Sequence, residues 1–235
     1  MAIHKNSNGY TFTFAILMVV VVGTLLAVAS QGLKSRQDKN TSDKKMINIL
    51  SAIKVEATRA NAQEMFDTYV VESKIISGKD INAAAFDVDI QKEFRDKNLK
   101  LSDRNYPLYI CEKNGSRYYV IPVVGTGLWG PIWGFVALES DYKTIYGATF
   151  DHKGETPGLG AEIKQGFYSD QYAGEMVADT SGTFLPIVVV KDGSGKGMNS
   201  KVDGITGGTI TSKGVEEMTT RTLAVYVNYF NALNN

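Results

Sequence analysis

Residues 11–30 read TFTFAILMVVVVGTLLAVAS, a run of twenty without a charged side chain. As an α-helix this run would rise about 30 Å, which matches the thickness of the hydrocarbon core of a bilayer. A cleaved signal peptide would have a shorter apolar region of about 7–15 residues, followed by an A-x-A-like site. The length therefore favours a retained helix that spans a membrane.

Outward from this run, the sequence predicts four parts. Residues 1–10 form an N-terminal tail, residues 11–30 the transmembrane helix, and residues 31–45 a polar juxtamembrane linker. Residues 46–235 are close to the usual upper size of one hydrophobic core, so one soluble domain is expected. The predicted architecture is a single N-terminal transmembrane helix followed by one soluble α+β domain.

Basic residues flank the span unequally. Lys5 precedes it, whereas five basic side chains follow it closely: Lys34, Arg36, Lys39, Lys44 and Lys45. Under the positive-inside rule this count places the soluble domain in the cytoplasm. Asp38 and Asp43 lie among these lysines, and a first helix does not always obey the rule, so the count leaves the orientation open.

Composition excludes several classes of function. Lys and Arg together number 25, as do Asp and Glu, so no net field favours nucleic acid. Cys111, His4 and His152 are the only Cys and His residues, too few for a zinc or iron–sulfur centre. Any redox chemistry must therefore come from an organic cofactor. Apolar neighbours predict that Cys111 is a buried thiol without a functional role.

Periodicity predicts the main elements of the soluble part. Apolar residues recur at helical spacing from Met46 to Ala57, and residues 65–76 continue or repeat that pattern. A final helix is predicted from Val215 to Phe230, with Thr211 and Ser212 as candidate caps. Runs of β-branched and aromatic residues predict four strands, at residues 118–124, 133–138, 145–150 and 185–190.

Two nucleotide-binding patterns fail on their context. Residues 125–130 match G-x-G-x-x-G, but a strand rather than a helix is predicted after them, so no dinucleotide-binding unit is expected. The glycines around Gly195 and Lys196 lack the first Gly and the final Ser or Thr of a P-loop. Nucleotide hydrolysis is therefore not supported.

A glycine-rich stretch near the C terminus has the features of a phosphate site. Residues 203–212 read DGITGGTITS and lead from a tight turn into the final helix. Gly204, Gly207 and Gly208 have no Cβ, so an anionic group can approach the main chain closely. Amides at the helix start add donors and partial positive charge. By pattern alone, a plain Gly/Thr loop that caps the helix explains the same residues.

The same stretch resembles the motif D-G-x-[ST]-x-A-[ST]-x-T of the covalent FMN-binding domain family. In that family the second bracketed hydroxyl is esterified to FMN phosphate, which implies Thr209 as the attachment residue. Gly208 stands where the family usually has Ala and Thr206 where Ser is common, so the site stays small. Residues 152–163, HKGETPGLGAEI, are similar to the family's E-T-P-G-L-G segment, which is implied to lie along the isoalloxazine ring.

The resemblance implies a set of cofactor-binding residues from both motifs. The first motif contributes Asp203, Gly204, Thr206, Gly207, Gly208, Thr209 and Thr211. The second contributes Glu155, Thr156, Pro157, Gly158, Leu159 and Gly160. Trp129 is added as a residue that can stack on the ring, whereas Trp133 fits ring contact and core burial equally well. No catalytic side chain and no metal ligand is expected.

Residues 127–135, GLWGPIWGF, together with the N-terminal span, are similar to the family of C subunits of sodium-translocating NADH:quinone oxidoreductases. This resemblance implies an electron-transfer role, in which the partners are the other subunits of that respiratory complex. One electron is implied to enter from a metal centre elsewhere and to leave toward a second covalent flavin. A magnesium-dependent flavin transferase that uses FAD is implied for maturation, and its location places the soluble domain on the periplasmic side of a bacterial inner membrane.

Two other functions stay open on the sequence. The flavin subunit of the ferredoxin:NAD (Rnf-type) electron-transport complex shares the anchor, the threonine ester and the T-P-G-L-G turn, although residues 127–135 favour the sodium pump. A membrane-tethered binding module without a cofactor is the alternative of another class. Self-modification of Thr209 is not expected, because a threonine hydroxyl without an adjacent base is a poor nucleophile.

Overall fold

A computed structural model describes residues 8–195, 197 and 200–233 of the chain. Residues 1–7 of the predicted N-terminal tail, with Lys5 of the charge count, lie outside the described residues, as does Lys196. The chain divides into two compact units, Met1–Lys45 and Met46–Asn235.

Helix α1 runs without interruption from Asn8 to Ala52. The helix is long and apolar enough to cross a membrane. The helix also continues through residues 31–45, where the sequence predicts a linker. That stretch contains no proline and is rich in Lys, Arg and Gln, which favour helix. The helix predicted from Met46 to Ala57 is therefore the end of α1, and it stops at Ala52.

The second unit is built on a five-stranded antiparallel sheet. Its strands lie in sequence order and are β1 Val70–Ile75, β2 Pro107–Lys113, β3 Ser116–Thr126, β4 Pro131–Leu138 and β5 Ile145–His152. A two-residue turn at Asn114 and Gly115, both with positive φ, joins β2 to β3, as is usual for tight hairpins. Two short parallel strands, β6 Val188–Val190 and β7 Lys201–Asp203, form a separate small sheet.

The two faces of the main sheet bury different apolar clusters, because successive residues of a strand point to opposite sides. On β2, Leu108 belongs to the larger cluster and Tyr109 to the smaller one. The larger cluster includes the buried side of the C-terminal helix, and the smaller one includes Leu50 near the end of α1. Both faces of the sheet are therefore covered.

Four further α-helices lie among the described residues of the second unit: α2 Ala62–Tyr69, α3 Ile90–Arg95, α4 Gly166–Ser169 and α5 Thr209–Leu233. The longest, α5, packs against β3 and buries Val215, Met218 and Tyr226. The Tyr226 hydroxyl donates a hydrogen bond of 2.5 Å to the Pro107 carbonyl oxygen. This combination of helices with an antiparallel sheet confirms the predicted α+β class.

The prediction of helix across residues 65–76 is wrong in its second half. Helix α2 ends at Tyr69, and β1 follows at once and pairs with β2, with Val70 opposite Cys111. Periodicity predicts no strand at β2, because residues on both of its faces are buried and the apolar–polar alternation is lost. Because β2 is not predicted, the sequence gives no sign that β1, which pairs with it, is a strand. The four predicted strands overlap β3, β4, β5 and the shorter β6.

Helix α5 begins at Thr209, well before the predicted start at Val215. The helix passes through Gly214 with its main chain against the Thr126 carbonyl, where a side chain would not fit. Thr211 and Ser212, predicted as caps, are therefore residues of the first turn. The predicted attachment residue is itself the first residue of the helix.

Candidate functional site

Three segments that are distant in sequence meet at the start of α5: residues 127–130, 152–163 and 203–212. The first is the turn between β3 and β4, closed by a hydrogen bond of 2.8 Å from the Gly127 amide to the Gly130 carbonyl oxygen. Because β4 begins at Pro131, the G-x-G-x-x-G match is a hairpin turn and opens no helix, as predicted.

Glu155 joins these three segments through its side chain. Only 4% of the residue is exposed. Its Oε1 accepts a hydrogen bond from the Trp129 amide at 2.8 Å, and its Oε2 accepts one from the Leu128 amide at 3.3 Å. Oε2 also accepts a hydrogen bond of 2.5 Å from the Thr211 hydroxyl. The two sequence motifs are therefore in direct contact through Glu155 and Thr211.

The space around this carboxylate admits no side chain at two neighbouring glycines. A Cβ on Gly160 would lie 2.4 Å from Thr211 Oγ1 and 2.6 Å from Glu155 Oε2. A Cβ on Gly127 would lie 2.7 Å from Glu155 Oε1. The missing side chains at Gly127 and Gly160 therefore allow the three segments to close around Glu155.

The three threonines of the first motif differ in their surroundings. Thr211 is 1% exposed and its hydroxyl is bonded to Glu155. Thr206 is exposed in the turn before the helix. Thr209, at the first position of α5, is half-buried, and its hydroxyl makes no hydrogen bond with any residue that the structure describes. Thr209 thus presents an uncommitted hydroxyl at the end of a helix.

The helix start also offers unpaired amides. The first main-chain hydrogen bond of α5 runs from the Ser212 amide to the Gly208 carbonyl oxygen at 2.9 Å. Amides at 209, 210 and 211 donate to no acceptor within the described part of the chain, as is general for the first turn of a helix. Such amides carry partial positive charge and bind phosphate. A phosphate on the Thr209 oxygen fits this donor set.

Leu159 of the second motif packs onto Gly207 of the first. Gly207 has a φ of +73°, and a Cβ there would lie 2.6 Å from Leu159 Cδ2. The next residue is also confined, although less tightly, since a Cβ on Gly208 would lie 3.0 Å from Ile205 Cγ2 and 3.2 Å from the Gly160 amide nitrogen. Glycine at position 208, where the family usually has Ala, suits this close approach.

Residues 156–159 form an exposed turn beside Glu155. The Leu159 amide donates to the Thr156 carbonyl oxygen at 3.1 Å. Gly158 has a φ of +76°, and its amide donates to Glu162 Oε1 at 2.8 Å. Thr156, Pro157, Gly158 and Leu159 are all exposed, so the turn presents main chain and small side chains to a ligand.

Asp203 and Gly204 make their contacts with the β6–β7 pair and its connection. The Asp203 carboxylate accepts a hydrogen bond of 3.0 Å from the Gly195 amide. The Gly204 amide donates to the Val190 carbonyl oxygen at 2.8 Å. These bonds attach the motif to the small sheet, so both residues position the chain that leads to Thr209.

Apolar side chains around the helix start are exposed. Trp129 is 69% exposed, and Leu128, Leu159 and Ile210 are exposed as well. Exposed apolar groups gathered in one place are characteristic of binding surfaces. Sequence reasoning missed Leu128 and Ile210, although each directly adjoins a predicted site residue.

Two titratable side chains near the site have partners of their own. Lys213 forms an ion pair of 2.7 Å with Glu216, and His152 Nδ1 accepts a hydrogen bond of 3.1 Å from the Glu155 amide. No side-chain base among the described residues is bonded to the Thr209 hydroxyl. No group of three or more His, Cys, Asp or Glu side chains in that part of the chain is placed to hold a metal ion.

Comparison with known families assigns a cofactor to this region. The model of the FMN-binding domain family matches residues 127–224. This range begins at the first glycine of the Trp129 turn and ends within α5, so it contains all three converging segments.

Similar proteins share nearly the whole chain. The solved structure of the Na(+)-translocating NADH-quinone reductase C subunit from Parabacteroides distasonis is 37% identical with a TM-score of 0.75, and the alignment covers 84% of this chain and 96% of that one. NqrC of Shewanella oneidensis, 23% identical with a TM-score of 0.62 over 82% of this chain and 97% of that one, shares the fold. The reductase C subunits of Yersinia pestis and Vibrio campbellii are 27% and 29% identical over 91% and 92% of this chain, and 87% and 90% of theirs.

Proposed function

The chain belongs to the NqrC family, the C subunits of Na(+)-translocating NADH-quinone reductases, and we propose that it carries FMN as a phosphoester on Thr209 and relays single electrons. The other subunits of this oxidoreductase complex are its partners. In this role the bound flavin would supply one-electron chemistry between a metal centre elsewhere in the complex and a second flavin subunit.

The position of Thr209 is the observation that supports attachment there. Thr209 is only half-buried, its hydroxyl is bonded to no described residue, and it is the first residue of α5, whose first-turn amides are unpaired within the described part of the chain. The hydroxyl of Thr211 is bonded to a buried carboxylate instead. Thr206 is exposed but precedes the helix, where it lacks the same amide donors. Of the three threonines, Thr209 is therefore the best placed to hold a phosphate.

Attachment needs an enzyme other than this chain. A threonine hydroxyl needs a base to act as a nucleophile, and none is bonded to Thr209 among the described residues. A separate flavin transferase that uses FAD supplies the activation. The bond between Thr209 Oγ1 and the FMN phosphorus forms, the pyrophosphate bond to AMP breaks, and the hydroxyl proton is released as AMP leaves.

The chain holds and shields the flavin, which itself supplies the one-electron chemistry through its ring system. Amides at the start of α5 stabilise the negative phosphoester, a contribution of about 0.3–1 kcal/mol where such a site is exposed. Leu128, Trp129 and Leu159 offer apolar contact to a flat ring and exclude water from it. An ester bond keeps the cofactor in place whatever the concentration of free FMN.

Flavin fluorescence of the protein band after a denaturing gel tests the attachment. With the transferase present, wild-type protein should fluoresce, and Thr209→Val, which keeps the side-chain shape without the hydroxyl, should be dark. Thr206→Val is the matched control and should fluoresce, as should Thr209→Ser, because it keeps a hydroxyl. The mass of the peptide that contains Thr209 identifies the modified residue.

Different results would reject the flavin-carrier function and the choice of Thr209 as the attachment residue. A dark wild-type band from cells that contain the transferase would reject the flavin carrier and favour the cofactor-free binding module. Fluorescence of the Thr209→Val band would reject only the choice of residue. Co-purification of an NADH-oxidising subunit supports the sodium pump, whereas a ferredoxin-oxidising subunit would support the Rnf-type complex.

We also propose that α1 spans the bacterial inner membrane once and that the second unit lies on the periplasmic side. The length and hydropathy of α1 support the span, and modification by a transferase outside the cytoplasm supports the side. The excess of basic residues after the span argues against this side. Protease added to cells with a permeabilised outer membrane should digest residues 46–235, and protection of that part would contradict the orientation.

A further inference from the structure

Glu155 is implied by sequence to bind the cofactor, but its side chain is not available to a ligand. The residue is 4% exposed, and its carboxylate already accepts hydrogen bonds from Trp129, Leu128 and Thr211. The exposed surface of the same segment consists of residues 156–159. Glu155 therefore affects a bound flavin only through the groups that it holds.

The three donors to Glu155 come from two different elements. The Leu128 and Trp129 amides belong to the turn between β3 and β4, whereas the Thr211 hydroxyl belongs to the first turn of α5. A single carboxylate thus determines how the turn that carries Trp129 lies against the helix start that carries Thr209. Because Gly127 and Gly160 leave no room for another group, no other side chain can take over this link.

Trp129 depends on this link for its position. The residue is 69% exposed, so packing contributes little to holding its indole. The hydrogen bond of 2.8 Å from the Trp129 amide to Glu155 Oε1 holds the main chain from which the indole projects. Loss of the carboxylate would leave two turn amides without an acceptor and would release the turn from α5.

Resting on the attachment of FMN to Thr209, we propose that Glu155 is a positioning residue that holds Trp129 beside the flavin without touching the flavin itself. The carboxylate binds the turn and the helix start at once, and the indole then covers the ring. A residue that only stabilised the fold would alter the flavin equally with or without Trp129.

Fluorescence of the attached flavin in the native protein tests this positioning role, because an indole in contact with the ring quenches its emission. Glu155→Ala should raise the emission per attached flavin several-fold. Glu155→Gln keeps one acceptor oxygen for the Trp129 amide and should stay close to wild type. Trp129→Phe should also raise the emission several-fold, and adding Glu155→Ala in that background should change nothing further, since the two effects act through one contact.

Two threonines of α5 supply matched controls. Thr211→Val removes the helix donor to Glu155 and should raise the emission in the Trp129 protein but not in the Trp129→Phe protein. Thr219→Val removes an equally buried hydroxyl, which donates at 2.8 Å to the Val215 carbonyl oxygen within its own helix, and should change neither. If Glu155→Ala fails to fold or to accept flavin, the Thr211→Val pair decides the question.

Emission is normalised to flavin on the Thr209 peptide, measured in the full chain made with the transferase. Equal emission from Glu155→Ala and wild type would overturn the positioning role, as would a rise that persists in the Trp129→Phe background. Wild-type protein without flavin on Thr209 would instead overturn the proposed attachment, so the two failures are distinguishable.

Discussion

The main chain of Gly214 lies against the carbonyl group of Thr126, so closely that a Cβ on Gly214 would be 2.3 Å from the Thr126 oxygen. Thr126 ends β3, and Gly214 lies in the second turn of α5. At the residue before Thr126, a Cβ on Gly125 would lie 2.8 Å from Met218 Cβ. Strand and helix therefore cross at main-chain distance, which places the turn after β3 beside the helix start that contains Thr209.

Replacement of this helical glycine should destabilise the protein. In an unconstrained helix, Gly→Ala stabilises by about 0.5–1 kcal/mol. Here the added methyl group meets a main-chain carbonyl oxygen at the end of β3 instead of a flexible side chain, so we expect Gly214→Ala to cost roughly 1–3 kcal/mol. Thermal unfolding of the full chain measures the change. Ala224→Gly in the same helix should also destabilise, by helix propensity alone, and an increase in Tm for Gly214→Ala would contradict the close crossing.

Gly160→Ala should damage both stability and the flavin site. The methyl group would overlap Thr211 Oγ1 and Glu155 Oε2 and so separate the two motifs. We expect a loss of about 1–3 kcal/mol and less attached flavin after expression with the transferase. Gly154→Ala is the matched control, because nothing beyond its own chain neighbours lies within 4 Å of its Cβ position. Equal flavin content in the two variants would show that the motifs do not need this contact.

Tyr226→Phe should remove one buried hydrogen bond and little else. The Tyr226 hydroxyl donates at 2.5 Å to the Pro107 carbonyl oxygen, and burial raises its pKa. Leaving that carbonyl unpaired should cost about 1–3 kcal/mol in the free energy of unfolding. The adjacent Tyr106, whose ring lies 6.1 Å from that of Tyr226, provides the control. Tyr106→Phe should be nearly neutral in denaturant unfolding, because its hydroxyl donates to no described residue.

Cys111 should be unreactive in the folded protein. Burial raises the pKa of its thiol from the ordinary value of 9.0 to about 12, so very little thiolate exists near neutral pH. A maleimide should label it only after denaturation, as measured by intact mass. Since the folded pKa lies above the unfolded one, the thiol's contribution to stability is complete below pH 9.0 and is lost as the pH rises toward about 12. Cys111→Ala should remove that part of the alkaline dependence, and rapid labelling of native protein would contradict the burial.

Local patterns predicted some elements well and others poorly, for reasons that particular residues show. Strands β3 and β4 are recognisable because Pro131 and the glycines around Trp129 mark the turn between them. β1 is not, because Val70 becomes part of a strand only by pairing with Cys111, which lies far along the chain. Glu155 was expected at the site, but its burial and its three donors follow from contacts that no local pattern contains.

The apolar span at residues 11–30, the α+β class and the two motifs that contain Thr209 and Glu155 follow from the amino-acid sequence alone. These features depend on hydrophobicity, local periodicity and short spacings, which are properties of neighbouring residues. Where α5 begins, which threonine has its hydroxyl bonded to a buried carboxylate, and that Glu155 faces inward emerge only in the folded chain. Each of these depends on packing between segments far apart in the chain, and such contacts exist only once the sheet and α5 have closed around them.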